Sequence, residues 1–155
     1  MKQTIRGGSF RRMILNAAAA IETNKQALNE LNVFPVPDGD TGTNMLRTME
    51  GGLAELRKDM IAPVGAVSNT FARGVLLSAR GNSGVILSQL FAGIHECIGN
   101  CETVTALDLV QAYRKGVGNV WQEIYSLEAL TKLVHRAKRH RNQKRQCSRQ
   151  RNGDK

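Results

Sequence analysis

The chain has 155 residues, 41% of them apolar, and a formal net charge of +9 at pH 7. That length suffices for one domain with a real hydrophobic core, and the scarcity of aromatic residues (5%) leaves the core to Ala, Leu, Val, Ile and Met, which favours helices over sheets. The charge excludes a basic fold: residues 1–131 hold twelve basic and twelve acidic side chains, and the whole excess falls in residues 132–155, with ten basic and one acidic.

In chain order, Ser9 is the expected N-cap of a first helix. Phe10, Met13, Ile14, Ala17, Ile21, Leu28 and Leu31 form its apolar stripe, and Arg11, Arg12, Glu22, Lys25 and Glu30 its solvated side. Pro35 and Pro37 end the helix near Asn32 and stiffen the following loop. Thr43 or Asn44 caps the next helix, whose stripe is Met45, Met49, Leu53, Leu56 and Met60, with Pro63 as its stop. A third helix is expected from Val64 to about Leu77 with Val67, Phe71 and Val75 inward. After a polar junction at Ser78–Gly84, a helix containing Val85, Ile86, Leu87, Leu90, Phe91, Ile94 and Ile98 is apolar on nearly all sides, which predicts the central, buried helix. Thr105 caps a fifth helix with Leu109, Val110, Tyr113 and Val117 inward, and Trp121 and Tyr125 read as core residues of an intact bundle. No strand alternation and no internal repeat stand out, so the expected class is all-α, an antiparallel helical bundle with short loops.

From Lys138 onward hardly an apolar residue remains, and such a segment does not fold alone. The expected organisation is therefore a helical domain over residues 1–120 and a divergent, basic, disordered tail over 121–155. Three cysteines without framework spacing, Cys97, Cys101 and Cys147, point to reduced thiols and a cytoplasmic setting. His95, Cys97 and Cys101 make a poor metal site, because no fourth soft ligand accompanies them. The N-terminus lacks the apolar stretch of a signal peptide, and Arg80, Asn82 and Gln89 interrupt the longest apolar run, so no membrane span is expected.

The chemistry concentrates at two junctions. In the first, Asn32 to Asn44, the carboxylates of Asp38 and Asp40 are one residue apart and repel each other unless a cation lies between them. Gly39 and Gly42 allow a tight turn and close approach to a ligand. Hard oxygen donors of this kind suit magnesium, which completes its shell with water and phosphate oxygens. A helix begins at once, so its free N–H groups and the side chains of Thr43 and Asn44 face the same spot. The bland alternative is a proline-stiffened turn built from turn-forming residues. A calcium loop is excluded because Met49 stands where the twelfth-position acid belongs. The second junction places Gly81, Asn82, Ser83 and Gly84 before another helix start, a phosphate-friendly end that lacks the lysine of a P-loop and is also an ordinary helix-start turn. In an up–down bundle the two junctions fall at the same end, where one nucleotide can touch both.

The stretches NVFPVPDGDTGTNM (Asn32 to Met45) and ARGNSGVILSQ (Ala79 to Gln89) closely resemble the nucleotide-binding domain of the dihydroxyacetone kinase family, above all the N-terminal domain of the bacterial fatty acid kinase ATP-binding subunit. The likeness runs from about Gly7 to about Val117. It implies an eight-helix antiparallel barrel with ATP at one end. It implies magnesium on Asp38 and Asp40, completed by Asn32. Phosphates would be held by Thr43, Asn44, Ser83 and Gly84 with backbone around Ala79 and Asn82; Thr41 and Gly42 of the same loop complete the candidate set. The phosphoryl acceptor, a small hydroxy-ketone or a fatty acid, would come on a partner, the dihydroxyacetone-binding or fatty-acid-binding subunit; a homodimer is a further assembly left open. After Val117 the family's KPVEGT-like segment and later helices are absent, which predicts a truncated or frameshifted relative. The competing reading is a nucleic-acid binder acting through residues 132–155. Such a tail attracts phosphate non-specifically, but it has no interleaved aromatics for stacking bases.

Overall fold

The computed structural model describes residues 3–32, 37–56 and 62–126. The chain divides into two compact units, Met1–Trp121 and Gln122–Lys155. Of the second unit residues 122–126 are described, and they are helical. The basic stretch 132–155, with the tail reading that rests on it, lies outside the described residues, as does Met60. All that follows concerns the first unit.

Its elements are β1 (Thr4–Arg6), α1 (Gly7–Thr23), α2 (Lys25–Glu30), α3 (Thr41–Glu55), α4 (Val64–Leu77), α5 (Gly81–Ile98) and β2 (Thr103–Thr105), followed by helix α6 from residue 106 to the end of the unit. The fold is all-α. Among the described residues its one departure is a short antiparallel ladder that pairs Ile5 with Val104. Three-residue strands are too short to show an alternating pattern, so no sequence signal announced them.

The first helical stripe breaks in two. Thr23 and Asn24 turn their side chains back on the carbonyls of Ala19 (2.9 Å) and Ala20 (2.8 Å), and the backbone leaves the helical region at Asn24. Side-chain competition of this kind interrupts helices. Helix α1 also starts earlier than expected, at Gly7. Arg6 is its N-cap residue, and Ser9 lies inside the helix, accepting from Arg12 at 3.2 Å.

Helix α4 spans the predicted residues and buries Val67, Phe71 and Val75 completely. It packs against α1, α3 and α5 and is the most buried helix of the unit. The sequence had pointed to α5 instead. On α5 only Gly84, Ser88, Gly93, Ile94 and Ile98 are buried, and Val85, Ile86, Leu87, Leu90 and Phe91 are half-buried. High apolarity therefore marked a helix with neighbours on part of its circumference. Phe91 does reach the core, edge-on to Phe71 with ring centroids 4.8 Å apart.

The inward face of α6 is also rotated from expectation. Leu109, Ala112 and Gly116 are buried, while Val110, Tyr113 and Val117 are 43–49% exposed. The cause is a close backbone approach: a Cβ on Gly93 of α5 would lie 2.6 Å from the Cα of Gly116. Only small side chains fit where two helix backbones come so near. Thr105 caps α6 as predicted: its N–H and hydroxyl both donate to Asp108 at 2.8 Å, and the Asp108 N–H donates back to the hydroxyl at 3.3 Å. Trp121 is 55% exposed. Among the described residues no helix is long and apolar enough to cross a membrane.

Candidate functional site

Helices α3 and α5 both begin at the same end of the unit, and their first turns adjoin. Gly81 adopts φ +59°, and a Cβ there would lie 2.7 Å from the Asn44 side-chain amide. The second junction thus lies against the Asn44 side chain of the first, and the positive φ is what calls for glycine there. Thr48, fully buried about two turns into α3, ties the two together. Its hydroxyl donates to the Asn44 carbonyl at 2.7 Å and accepts the Arg80 N–H at 3.1 Å. Gly84 rests on the same hydroxyl, since a Cβ on it would come within 2.5 Å of the Thr48 oxygen.

The carboxylate loop enters this end from α2. Asn32 donates its side-chain amide to the Asp38 carboxylate, Gly39 turns the chain at φ +63°, and Asp40 takes the N-cap position of α3. Asp38 is exposed and Asp40 half-buried. No salt bridge reaches either among the described residues. Two carboxylates and an amide are too few for an all-protein cage. They suit a hard divalent cation that takes its remaining oxygens from water and a phosphorylated ligand. Within the described residues no hydrogen bond joins Asp38 or Asp40 to the second junction.

The helix starts differ from expectation in one respect. Neither Thr43 nor Asn44 caps α3, because the helix begins at Thr41, and Asp40 makes no side-chain cap. The cap comes instead from Asn29 on α2. Its Oδ1 accepts the Thr43 N–H at 3.1 Å and its Nδ2 donates to the Thr43 hydroxyl at 3.1 Å. Gly42 serves the same contact, for a Cβ there would lie 2.4 Å from the Lys25 carbonyl oxygen. Its smallness seats α3 on α2 and is not spent on the turn.

The Asn44 N–H bonds to the Asp40 carbonyl at 2.8 Å and the Gly84 N–H to the Arg80 carbonyl at 2.9 Å. Among the described residues, the N–H groups of Thr41 and Gly42 in α3 and of Gly81, Asn82 and Ser83 in α5 have no acceptor. No acidic side chain occupies the first turn of either helix. Two positive dipole ends and five unclaimed donors make this end of the unit suited to an anion. Asn82 is exposed and Ala79 and Ser83 are half-buried, so the second junction is open to a ligand.

Two residues of this end, Asn29 and Thr48, were absent from the sequence-derived set. Asn29 lies one helical turn before Asn32, and Thr48 one turn after Asn44. That shared-face spacing was the available signal. The alternative cluster of His95, Cys97 and Cys101 does not form: among the described residues no three His, Cys, Asp or Glu side chains are grouped for a metal. Cys97 and Cys101 are free thiols. The Ser68–His95 contact, at 3.2 Å, is not a nucleophile–base pair. The Ser68 hydroxyl already donates to the Gly65 carbonyl at 2.9 Å, so Nδ1 is the donor between them.

This arrangement, a carboxylate-bearing loop beside two converging helix N-termini, defines a helical domain suited to a phosphorylated ligand. The comparisons with known proteins agree on its family. The family model for the DAK2 domain matches residues 35–138, past the point near Val117 where the sequence likeness was expected to stop. The protein YloV of Bacillus subtilis is 42% identical over 122 residues, which is 79% of this chain and 22% of YloV. An uncharacterised protein of Staphylococcus saprophyticus is 40% identical over 124 residues, 80% of this chain and 22% of its own length. A Staphylococcus aureus protein, also uncharacterised, is 40% identical over 124 residues and is covered to 23%. The chain belongs to the DAK2 domain family, a domain of the dihydroxyacetone kinase family. It spans about a fifth of the length of the curated relatives it matches.

Proposed function

We propose that this chain is the Mg-ATP-binding part of a kinase that transfers the γ-phosphoryl group to a small hydroxy-ketone or to a fatty acid carried by a partner protein. The observation that carries the reading is the closure of Gly81 on Asn44, which brings the start of α5 against that of α3 beside the Asp38–Asp40 loop. Membership of the DAK2 family supports it.

In this reading Asp38 and Asp40 hold magnesium, and Asn32 fixes the Asp38 carboxylate through its amide. The N–H groups of Thr41, Gly42, Asn82 and Ser83, with the side chains of Thr43, Asn44 and Ser83, hold the phosphates. Gly84, seated on the Thr48 hydroxyl, lets the second junction lie close enough to take part, and backbone around Ala79 helps to hold the phosphates. Bound magnesium supplies charge neutralisation at the phosphoryl oxygens. The chain's own part is to position the nucleotide and to aim fixed dipoles at developing negative charge, with no covalent nucleophile. The acceptor arrives on the partner.

The test is calorimetric titration of the full chain with ATP, with and without magnesium, beside the Asp38→Ala, Asp40→Ala double variant. Magnesium-dependent binding by the wild type, lost in the variant, is the expected result. A folded wild-type chain that takes up no nucleotide would end the proposal.

A further inference from the structure

Asn29 touches neither carboxylate and lies outside both junctions, yet it makes two hydrogen bonds to one residue of the site. The backbone N–H of Thr43 is only a donor, so the atom of Asn29 that meets it is the oxygen, Oδ1. That fixes the amide orientation and leaves Nδ2 facing the Thr43 oxygen. An incoming N–H occupies a lone pair of that oxygen. The hydroxyl proton must then point away from Asn29.

We propose that Asn29 is a positioning residue: it turns the Thr43 hydroxyl into a donor aimed at the bound nucleotide phosphate. The inference rests on the nucleotide reading given above and adds the device that sets the polarity of one of its donors. Asn29 also ties up the Thr43 N–H, so Thr43 addresses the ligand through its side chain while Thr41 and Gly42 do so through their backbone.

Asn29→Asp separates this role from simple capping. A carboxylate oxygen still accepts the Thr43 N–H, so the cap survives. Its second oxygen cannot donate, and the Thr43 hydroxyl must turn its proton inward to reach it. Three readouts are taken on the full chain. They are protection of the Thr43 amide against hydrogen exchange, Mg-ATP affinity, and Mg-ATP affinity of Asn29→Asp in a Thr43→Val background. The expected result is an amide that stays protected, binding weakened about tenfold, and a much smaller loss once the Thr43 hydroxyl is gone. Unchanged affinity in Asn29→Asp would make Asn29 a cap and nothing more. A loss that persists in full in the Thr43→Val background would place the effect in the new charge and overturn the hydroxyl's role. If the wild type itself ignores Mg-ATP while its Thr43 amide is protected, the nucleotide reading fails, and the role of Asn29 falls with it.

Discussion

The hydroxyl of Thr48 holds the backbone of Arg80, 32 residues away, accepting its N–H at 3.1 Å while donating to the Asn44 carbonyl at 2.7 Å. A single buried oxygen thus fastens the second junction to the first turn of α3, and the geometry of the candidate site depends on it.

Thr48→Val keeps the shape and removes both bonds, leaving the Arg80 N–H without its partner. The loss is expected to be about 1 kcal/mol, because the Arg80 N–H is only part-buried and water can replace some of the lost bond. Thr48→Ser keeps the hydroxyl and should recover most of it. Urea unfolding of the two variants distinguishes these outcomes: equal stability for Val and Ser would mean that the hydroxyl does not bridge the junctions.

Gly81→Ala combines two costs. A side chain at φ +59° is disfavoured by about 1–2 kcal/mol, and its Cβ would stand 2.7 Å from the Asn44 amide nitrogen. Adding Asn44→Ala relieves the clash but not the backbone term. Thermal unfolding should therefore show a loss from Gly81→Ala in both backgrounds, larger in the wild type than in Asn44→Ala. An equal loss in the two backgrounds would show that the junctions do not approach as described.

Helices α5 and α6 also share a surface ion pair, Lys115 Nζ to Glu96 Oε2 at 3.0 Å, and Asn119 donates to the other Glu96 oxygen at 3.1 Å. The Lys115 ammonium bonded to it holds the Glu96 carboxyl below the ordinary glutamate range against the opposing effect of burial, with lesser help from Asn119 and from the charges of Lys115 and His95. A carboxyl depressed in the folded state stabilises at neutral pH, and that contribution disappears as pH falls through its folded value. Both side chains are about half exposed, so the effect is screened and should not exceed about 1 kcal/mol. Melting temperatures of wild type and Glu96→Gln should differ slightly at pH 7 and converge in acid; a gap that widens in acid would reverse the assigned sign.

The rotated face of α6 can be tested by pairing two substitutions. Ala112 is fully buried and Val117 is 48% exposed. Ala112→Leu overfills the core at that position and should cost about 1–3 kcal/mol. Val117→Gln should change stability by no more than about 0.5 kcal/mol. Chemical denaturation showing the opposite order would restore the face that side-chain size alone suggested.

Taken alone, the sequence determined what local rules control. The span of α4 and its inward Val67, Phe71 and Val75 followed from apolar spacing, the cap at Thr105 from a hydroxyl four residues before a buried leucine, and both polar junctions from clustered Asp, Gly, Asn and Ser. Only the tertiary structure decided which of two apolar faces α6 turns inward, because the choice depends on Gly93 and Gly116 letting two backbones meet, and size ranking on one helix carries no information about its neighbour. It also supplied Asn29 as the cap of α3, Thr48 as the tie to Arg80, and the ladder between residues 4–6 and 103–105. Each of these joins groups too far apart in the chain for any local pattern to register. A helix repeats every few residues, whereas a hydrogen bond across the fold exists only after the helices have packed.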